Sequence, residues 1–303
     1  MQTTRLRLSP GFVFVLSAVA FASSNCGAQS TAVSAASLSA KLHASRTAAS
    51  DLELAGDLFG VPRGESRYLT REDLLAASQS MTVKPSEGDF TVRSQVKGVP
   101  LEDLARSLGV PAGDMVIAIC KDKYRAPYSR AYLAAHHPVL VMELNGRALS
   151  DWPKDGQGDD PGPYEIAHVN FKPALKILAA SDEPQIPWGV VRLEFRDEDA
   201  VFGTIAPRGP QAGDAAERDG FKIARQNCFR CHNRDSEGGL KSGVTWTVLA
   251  ALAANEPDFF TAYVRDPRTK NPNSQMAGSP DYDEPTMHAL ISYFRTFAPA
   301  EAR

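Results

Sequence analysis

The spacing of apolar residues along the first two thirds of the chain predicts a β-sheet. Asp114 to Cys120 is a nearly continuous apolar run, which is typical of a buried strand. Residues 138–144 form a second such run, and the turn pair Asn145-Gly146 follows it. Apolar and charged residues alternate over 191–196, and this period of two predicts a strand with one solvated face.

Helical spacing marks other parts of the same region. Leu101, Leu104 and Leu108 recur three and four residues apart, as on one face of a helix. Thr70 to Asp73 predicts a helix start, with Thr70 as the N-cap and Asp73 at the third helical position. Strands mixed with a few helices indicate the α+β class for this region.

The character of the chain changes at the Pro- and Gly-rich stretch 207–213, which we take as a domain boundary. Beyond it the pattern is helical, with one helix expected over 215–231 and another over 284–297. The length of 303 residues and an apolar content of 43% suffice for two modest cores. We therefore predict an α+β domain over 51–206 and an all-α domain over 214–303.

The N-terminus has the pattern of an export signal. Arg5 and Arg7 precede a short apolar segment at 11–22, and small residues that suit cleavage follow it. The apolar segment is too short for a membrane span, so we expect a signal peptide over 1–28 and a periplasmic or otherwise exported protein. The Ala- and Ser-rich stretch 29–50 predicts a flexible linker.

Two further features of the sequence limit the kinds of partner that we expect. Cys26 follows the apolar segment at a place where a lipid anchor is possible, and no other apolar run is long enough to cross a membrane. The net charge of −3, without a basic stripe, gives no reason to expect a nucleic-acid partner.

The strongest chemical signal is the five-residue motif Cys228-Phe229-Arg230-Cys231-His232, the attachment pattern for c-type haem. Positions three and four apart share one face of a helical turn. Cys228 and Cys231 can therefore reach the two vinyl groups of one porphyrin, and His232 is presented to the iron from the same side. Attachment of such a haem outside the cytoplasm agrees with the export signal.

A structural zinc site and a redox-active dithiol are two other uses of the motif residues. A structural zinc ion needs four ligands, and no second Cys/His pair follows the motif. A thioredoxin-like dithiol belongs to a βαβ context, whereas this motif follows an amphipathic helix. One covalent haem is therefore the expected cofactor.

The flanks of the motif resemble class I cytochrome c over residues 214–298. Residues 219–227, with the small Gly220 beside Phe221, are similar to the family's first helix, and 284–294 are similar to its last. Asn271 to Met276 resembles the loop that carries the methionine ligand. The resemblance implies that Met276 is the second axial ligand of the iron, opposite His232.

Two nearby residues compete with Met276 for that role. Met287 lies on an apolar stripe with Leu290 and Phe294, which predicts core packing, and His288 is expected to be a surface or packing residue. One feature departs from the family. A Gly-Pro-x-Leu segment often orients the axial imidazole there, but residues 237–240 lack the proline. The sequence therefore leaves open which group fixes the ring of His232.

Residues 68–200 resemble the molybdopterin-binding domain of the sulfite oxidase family. The resemblance rests on the segments 98–104, 116–120, 144–149 and 162–164, in that order. The family's molybdenum-binding cysteine has no counterpart here, because no cysteine lies between Cys26 and Cys120. A molybdopterin cofactor is therefore not expected.

Other polar candidates in this region carry no functional prediction. Cys120 ends an apolar strand and is expected in the core. His136, His137 and His168 are expected to be structural.

These observations favour an exported monohaem c-type cytochrome that transfers single electrons to a redox partner protein. The N-terminal domain is expected to be a partner-docking or degenerate molybdopterin-type domain, with a role in docking or small-anion binding. An electron-transfer protein is expected rather than a self-contained enzyme. Two alternatives stay open at this point. One is a molybdopterin-dependent oxidoreductase with a fused haem, which would need Cys120, or no thiolate, at the metal. The other is a haem-based binding or sensor module, which would need a weak bond from Met276.

Overall fold

Two five-stranded sheets form the framework of the chain in the computed structural model, which describes residues 36–88, 90, 92–151, 162–209 and 213–298. The strands are β1 (Leu52–Gly56), β2 (Arg67–Leu69), β3 (Gln79–Val83), β4 (Ser94–Pro100), β5 (Asp114–Cys120), β6 (Arg125–Tyr128), β7 (Val139–Leu144), β8 (Arg147–Ala148), β9 (Glu165–Ala167), β10 (Lys176–Ile177), β11 (Ala180–Ser181), β12 (Val190–Asp197), β13 (Asn233–Arg234) and β14 (Glu237–Gly238). The helices are α1 (Ala36–Ser39), α2 (Arg71–Ala76), α3 (Pro85–Gly88), α4 (Leu101–Ser107), α5 (Arg130–His136), α6 (Glu198–Gly203), α7 (Ala215–Asn227), α8 (Trp246–Asn255), α9 (Pro257–Arg265), α10 (Pro267–Lys270) and α11 (Glu284–Arg295).

The first sheet has the strand order β2-β1-β12-β5-β6, in which only the β1–β12 pair is parallel. The second sheet has the order β3-β4-β7-β8, and β9 also pairs with β7. Apolar side chains from one face of each sheet meet in the first core, which also takes in the apolar sides of α2, α4 and α5. A smaller third core covers the other face of the second sheet.

Strand β5 has apolar side chains on both faces, and each face belongs to a different core. Val116, Ala118 and Cys120 point into the first core. Met115 and Ile117, on the opposite face, lie in the second core with residues of the C-terminal helices. Because successive side chains of a strand point to opposite faces, one continuous apolar run joins the two halves of the chain.

The predicted fold class is wrong. We expected a sulfite oxidase-like α+β domain followed by a separate all-α cytochrome c domain, but the described residues form a mixed α/β fold with several sheets. The segment 214–298 contains the hairpin β13–β14 directly after the motif, so it is not all-α. Its helices also share the second core with β5, and residues 33–303 form one compact unit. Two-residue strands carry no periodicity, so no pattern of apolar residues indicated the hairpin.

Strand β12 also differs from its prediction. Its alternation was expected to leave one face in water, yet Glu194 on that face is only 7% exposed. Its carboxylate lies 3.0 Å from the guanidinium of Arg125 and 2.7 Å from that of Arg192. Arg196 reaches Glu237 of the hairpin at 2.9 Å. Charges that would be costly to bury alone are tolerated here because they are paired.

Several local predictions are confirmed. Thr70 caps α2, because its side-chain oxygen accepts from the backbone N–H of Asp73 at 3.1 Å. The run 114–120 is strand β5, and β7 ends at Asn145-Gly146, whose φ angles of 50° and 77° suit a tight hairpin turn. The helix expected over 215–231 is shorter than predicted, because α7 ends at Asn227 and the motif continues as turns.

Residues 1–50 carry the predicted signal peptide and the predicted linker. The predicted signal peptide over 1–28 and Cys26 lie outside the described residues. Within the stretch predicted to be a linker, Ala36–Ser39 forms α1, and Leu38 is buried in the first core. None of the helices in the described part of the chain has the length and apolar character that a membrane crossing requires.

The close crossing of α7 and α11 generates a prediction. A Cβ atom on Gly220 would overlap the carbonyl oxygen of Ala289 and lie 2.6 Å from the Cβ of Tyr293. Replacing Gly220 by Ala should therefore push the helices apart and lower the free energy of unfolding by about 1–3 kcal/mol. Urea unfolding of the purified full chain measures this loss.

The matched control is Gly203→Ala, because a Cβ on Gly203 would meet no atom within 4 Å. This variant should unfold at nearly the wild-type urea concentration. Equal stability of the Gly220→Ala protein and the control would show that the helices do not depend on this contact.

Candidate functional site

The motif Cys228–His232 continues the last turn of α7. The backbone N–H of Cys228 still donates to Ala224 at 2.8 Å, as in a helix. The N–H groups of Cys231 and His232 both donate to the carbonyl of Cys228, at 3.2 and 3.0 Å. This hydrogen bonding keeps the motif in one helix-like turn, which is the geometry that brings positions three and four apart to one side.

The ring of His232 is held by a backbone carbonyl that the sequence did not indicate. Its Nδ1 lies 2.6 Å from the carbonyl oxygen of Val244, and His232 is only 8% exposed. A carbonyl only accepts, so Nδ1 carries the proton and Nε2 keeps its lone pair for a ligand. Burial lowers the pKa of His232, which also favours the neutral ring. The carbonyl of Val244 thus fixes the ring of His232, a role that the sequence left open because residues 237–240 lack the proline.

The thiols of the motif are neutral and unpaired. Of the cysteines that the structure describes, Cys120, Cys228 and Cys231, none forms a disulfide. Burial raises the pKa of the Cys228 thiol to about 12 and raises that of Cys231 as well. A dithiol oxidoreductase needs a lowered thiol pKa, so these side chains do not suit that use.

An aromatic cluster lies behind the motif. The ring of Phe229 is 5.7 Å from that of Trp246, and Trp246 lies 5.0 Å from Phe294 and 6.2 Å from Tyr293. All four side chains are buried in the second core. The cluster fixes α8 and α11 against the motif, so the turn of Cys228–His232 is supported by packed rings rather than by solvent.

The backbone of the hairpin β13–β14 lies directly against the motif. This close approach explains why two adjacent residues, Gly238 and Gly239, are glycines. The N–H of Gly239 donates to the carbonyl of Phe229 at 2.9 Å, and a Cβ on Gly239 would overlap the carbonyl of Arg230. Gly238 has a φ of 89°, and a Cβ there would lie 2.7 Å from the carbonyl oxygen of His232. Both positions therefore require glycine.

The turn between β5 and β6 holds the motif from the other side. The N–H of Arg125 donates to the carbonyl of Arg230 at 3.1 Å, and the N–H of Leu240 donates to Lys123 at 3.0 Å. The motif is thus tied by main-chain hydrogen bonds to a turn that lies more than a hundred residues earlier.

Met276 lies in a loop that is anchored at two places. Its N–H donates to the hydroxyl of Ser274 at 3.3 Å, and that hydroxyl accepts from Tyr263 of α9 at 3.1 Å. Further along the loop, the hydroxyl of Tyr282 accepts from the side-chain amide of Asn227 at 2.6 Å. Asn227 directly precedes Cys228, so the loop that carries Met276 is fastened to the start of the motif.

The two competing residues are placed elsewhere. Met287 is 1% exposed and lies in the second core, whereas His288 is exposed on α11. Met276 is partly buried. Of the three side chains, Met276 is the one on a loop that is attached to the motif.

Several large apolar side chains near the motif remain exposed. Val244, whose carbonyl holds His232, is 37% exposed, and Leu240 at the end of the hairpin is 55% exposed. Val248 of α8 and Phe259 of α9 are also exposed, and Phe259 stacks 5.7 Å from Tyr263, which anchors the Met276 loop.

The residues present fit a covalently held porphyrin. Cys228 and Cys231 supply two neutral thiols on one turn, His232 supplies a nitrogen lone pair fixed by Val244, and Met276 supplies a thioether on an attached loop. By contrast, no group of three or more His, Cys, Asp or Glu side chains in the described residues could hold a bare metal ion.

The remaining sequence candidates lie in the N-terminal region. Cys120 is 4% exposed in the first core, and burial raises the pKa of its thiol. His136 and His168 are buried around Phe171, with ring centroids 4.4 and 5.3 Å from its ring. His137 is on the surface, where its Nδ1 lies 2.7 Å from Glu102.

Comparison with known proteins adds one finding. No protein-family model matches the chain. The chain is similar to a cytochrome c oxidase subunit 2 of Alkalihalophilus pseudofirmus, with 24% identity over 147 residues, which is 46% of this chain and 41% of that protein. The chain therefore spans less than half the length of the curated relative that it matches.

The buried His168 generates a prediction about pH. Burial, reinforced by the nearby His136, lowers its pKa from 6.5 to about 4, because the folded chain disfavours a charge there. Below about pH 6.5, His168 becomes protonated in the unfolded chain, whereas in the folded chain it becomes protonated only near pH 4. The contribution of the neutral His168 to the free energy of unfolding is therefore complete above about pH 6.5. It is lost as the pH falls from there to about 4, which lowers the free energy of unfolding by about 2–3 kcal/mol.

The measurement is urea unfolding at several pH values between 4 and 7. In a His168→Gln variant the amide can still bond to the hydroxyl of Tyr132, which lies 2.9 Å from the histidine ring, and the loss on acidification should shrink. The exposed His288→Gln variant should keep the wild-type profile. A His168→Gln profile parallel to that of the wild type would contradict the assignment.

Proposed function

We propose that the chain is an exported c-type cytochrome that carries one covalent haem and transfers single electrons to or from a partner protein. The observation that carries the proposal is the motif turn. It holds two neutral thiols and one imidazole whose Nδ1 is occupied by the carbonyl of Val244, at 2.6 Å. This is the set of groups that attachment through two thioethers and one axial nitrogen requires.

The fixed ring of His232 supports axial ligation. The hydrogen bond to Val244 selects the tautomer with a free Nε2 and limits rotation of the ring. Burial lowers the pKa of the imidazole and so favours its neutral form. The side chain is therefore prepared to bind iron without first losing a proton or reorienting, which favours rapid electron exchange with little rearrangement.

Met276 is the proposed second axial ligand. Its thioether is soft and uncharged, so it favours the reduced iron and raises the potential. Its loop is attached to Asn227, which precedes the motif, and to Tyr263 of α9, and this attachment supports the assignment. With both axial positions filled by protein atoms, bound haem would pass electrons without readily binding oxygen or peroxide.

The N-terminal region supports the motif in this proposal. Its β5–β6 turn binds the backbone of Arg230 and Leu240, and β5 forms part of the second core. The molybdopterin alternative would need a thiolate from Cys120, whose thiol is buried and neutral. These contacts support a structural and docking role for this region, rather than a second redox centre.

The similarity to a cytochrome c oxidase subunit 2 also supports electron transfer as the general role. Together with the export signal predicted at the N-terminus, it supports action outside the cytoplasm. The redox partner is expected to be another protein.

The first test is the mass of the exported protein. The full chain is produced with its N-terminal signal in a bacterium that has haem-attachment machinery, and its intact mass is measured. We expect the mass of one haem above that of the polypeptide, and a reduced spectrum with sharp low-spin bands. The added mass should disappear in a Cys228→Ala/Cys231→Ala variant, because no thioether can form.

The control is Cys120→Ala, which removes the other described cysteine from the first core and should leave the haem in place. A wild-type protein without the added mass would end the proposal. Haem that survives in the double variant would show that the motif cysteines do not attach it.

The second test concerns Met276. A Met276→Ala variant should have a lower reduction potential, within the roughly 0.8 V range that axial ligands control. Its reduced form should also bind carbon monoxide, because one coordination position is open. Potentiometry and the carbon monoxide difference spectrum measure both effects.

Met287→Leu is the matched control, because it changes a methionine in the second core without leaving a large cavity. Its potential should stay at the wild-type value. An unchanged potential in Met276→Ala would remove Met276 from the site. Carbon monoxide binding by the reduced wild type would instead favour the sensor alternative.

A further inference from the structure

A cavity of about 330 Å³ lies between the N-terminal region and α7, and it reaches Gln226 at the end of that helix. Its N-terminal side includes Ser129, Tyr132 and Gln185, and its other side includes residues of α7. The volume is within the range of about 300–1,000 Å³ that is usual for small-molecule sites. The cavity is therefore large enough for a small organic molecule.

Three cationic side chains line this cavity, and none of the described residues that line it is acidic. The cations are Lys176 of β10, and Lys222 and Arg225 of α7. Their neutralisation is weak. Among the described residues, the one carboxylate paired with Lys222 is that of its i,i+3 neighbour Asp219, at 3.1 Å, and the one nearest Arg225 is that of Glu198, at 4.0 Å. The mouth of the cavity is thus positively charged.

Arg225 is held in place although its charge is barely paired. Its guanidinium carbon lies 5.2 Å from the ring centroid of Phe202 and 5.6 Å from that of Phe221. Cation–π contacts orient a guanidinium but do not neutralise it. The side chain is therefore positioned and still able to bind an anion.

The opposite side of the cavity carries a buried acceptor without a donor. Gln185 is 2% exposed, and its Oε1 has no hydrogen-bond partner among the described residues. Its backbone N–H donates to the hydroxyl of Tyr132 at 3.0 Å, which fixes the residue in place. A buried acceptor is unfavourable unless a donor reaches it. A ligand with a hydroxyl group would supply that donor.

We propose that this cavity binds a small hydroxy-dicarboxylate. The carboxylates would lie at Lys176, Lys222 and Arg225, and the hydroxyl would donate to Oε1 of Gln185. Pro127 and Phe202, which also line the cavity, offer apolar surface to the carbon chain. An inorganic oxyanion would leave most of this volume unfilled. The inference does not depend on haem attachment.

The test is calorimetric titration of the purified full chain with L-malate and, separately, with succinate. The two dianions share a carbon chain and differ in one hydroxyl group. We expect saturable binding of one malate per chain, and at least fivefold weaker binding of succinate. Absence of saturable malate binding at millimolar concentrations would overturn the proposal, and equal affinities would overturn the assignment to a hydroxy acid.

Two variants test the residues. Lys176→Ala/Lys222→Ala should weaken malate binding at least tenfold, whereas Lys172→Ala, an exposed lysine outside the cavity lining, should not. Gln185→Met keeps the side-chain length and removes the acceptor, so it should abolish the preference for malate and leave succinate binding intact. Malate affinity unchanged in the double variant, or a preference retained in Gln185→Met, would overturn the proposed contacts.

Discussion

The fold depends on a strand that two cores share. Val116 and Ala118 of β5 pack inward between the two sheets, while Met115 and Ile117 pack outward against the C-terminal helices. Burial of apolar area is the main favourable contribution to folding, and here one strand contributes to it on both faces. The C-terminal helices therefore cover the outer face of β5. Because they pack on this strand, the sheet also sets the position of the motif turn.

The sequence was informative where a pattern is local. The cap at Thr70, the run of β5 and the hairpin turn at Asn145-Gly146 follow from neighbouring residues and were predicted correctly. Prediction was wrong where the partner is distant. The alternation in β12 correctly indicated a strand, but it did not show that Arg125 and the hairpin cover the charged face. A charge looks the same in sequence whether water or another charge faces it.

The candidate site shows the same division. Cys228, Cys231 and His232 stand out by spacing, and the structure holds them in one turn. The group that fixes the ring of His232 is the carbonyl of Val244, and a backbone acceptor leaves no trace in residue identity. The cations that line the cavity beside α7 could not be grouped from the sequence either, because β10 and α7 bring them together only in the fold. Chemistry that depends on side-chain types at a short spacing can be predicted from the sequence. Chemistry that depends on backbone groups, or on side chains that are distant in sequence, cannot.

The hydrogen bonds from the β5–β6 turn to the motif bear on how the chain acquires its shape. Lys123 and Arg125 leave the ribosome long before Arg230 and Leu240, to which they are later joined. The backbone of the motif therefore closes late, onto a surface that earlier residues have already built. The last third of the chain is accordingly not a portable module. Transplanted to another protein, it would lack both the strand that completes its core and the turn that braces its cysteines.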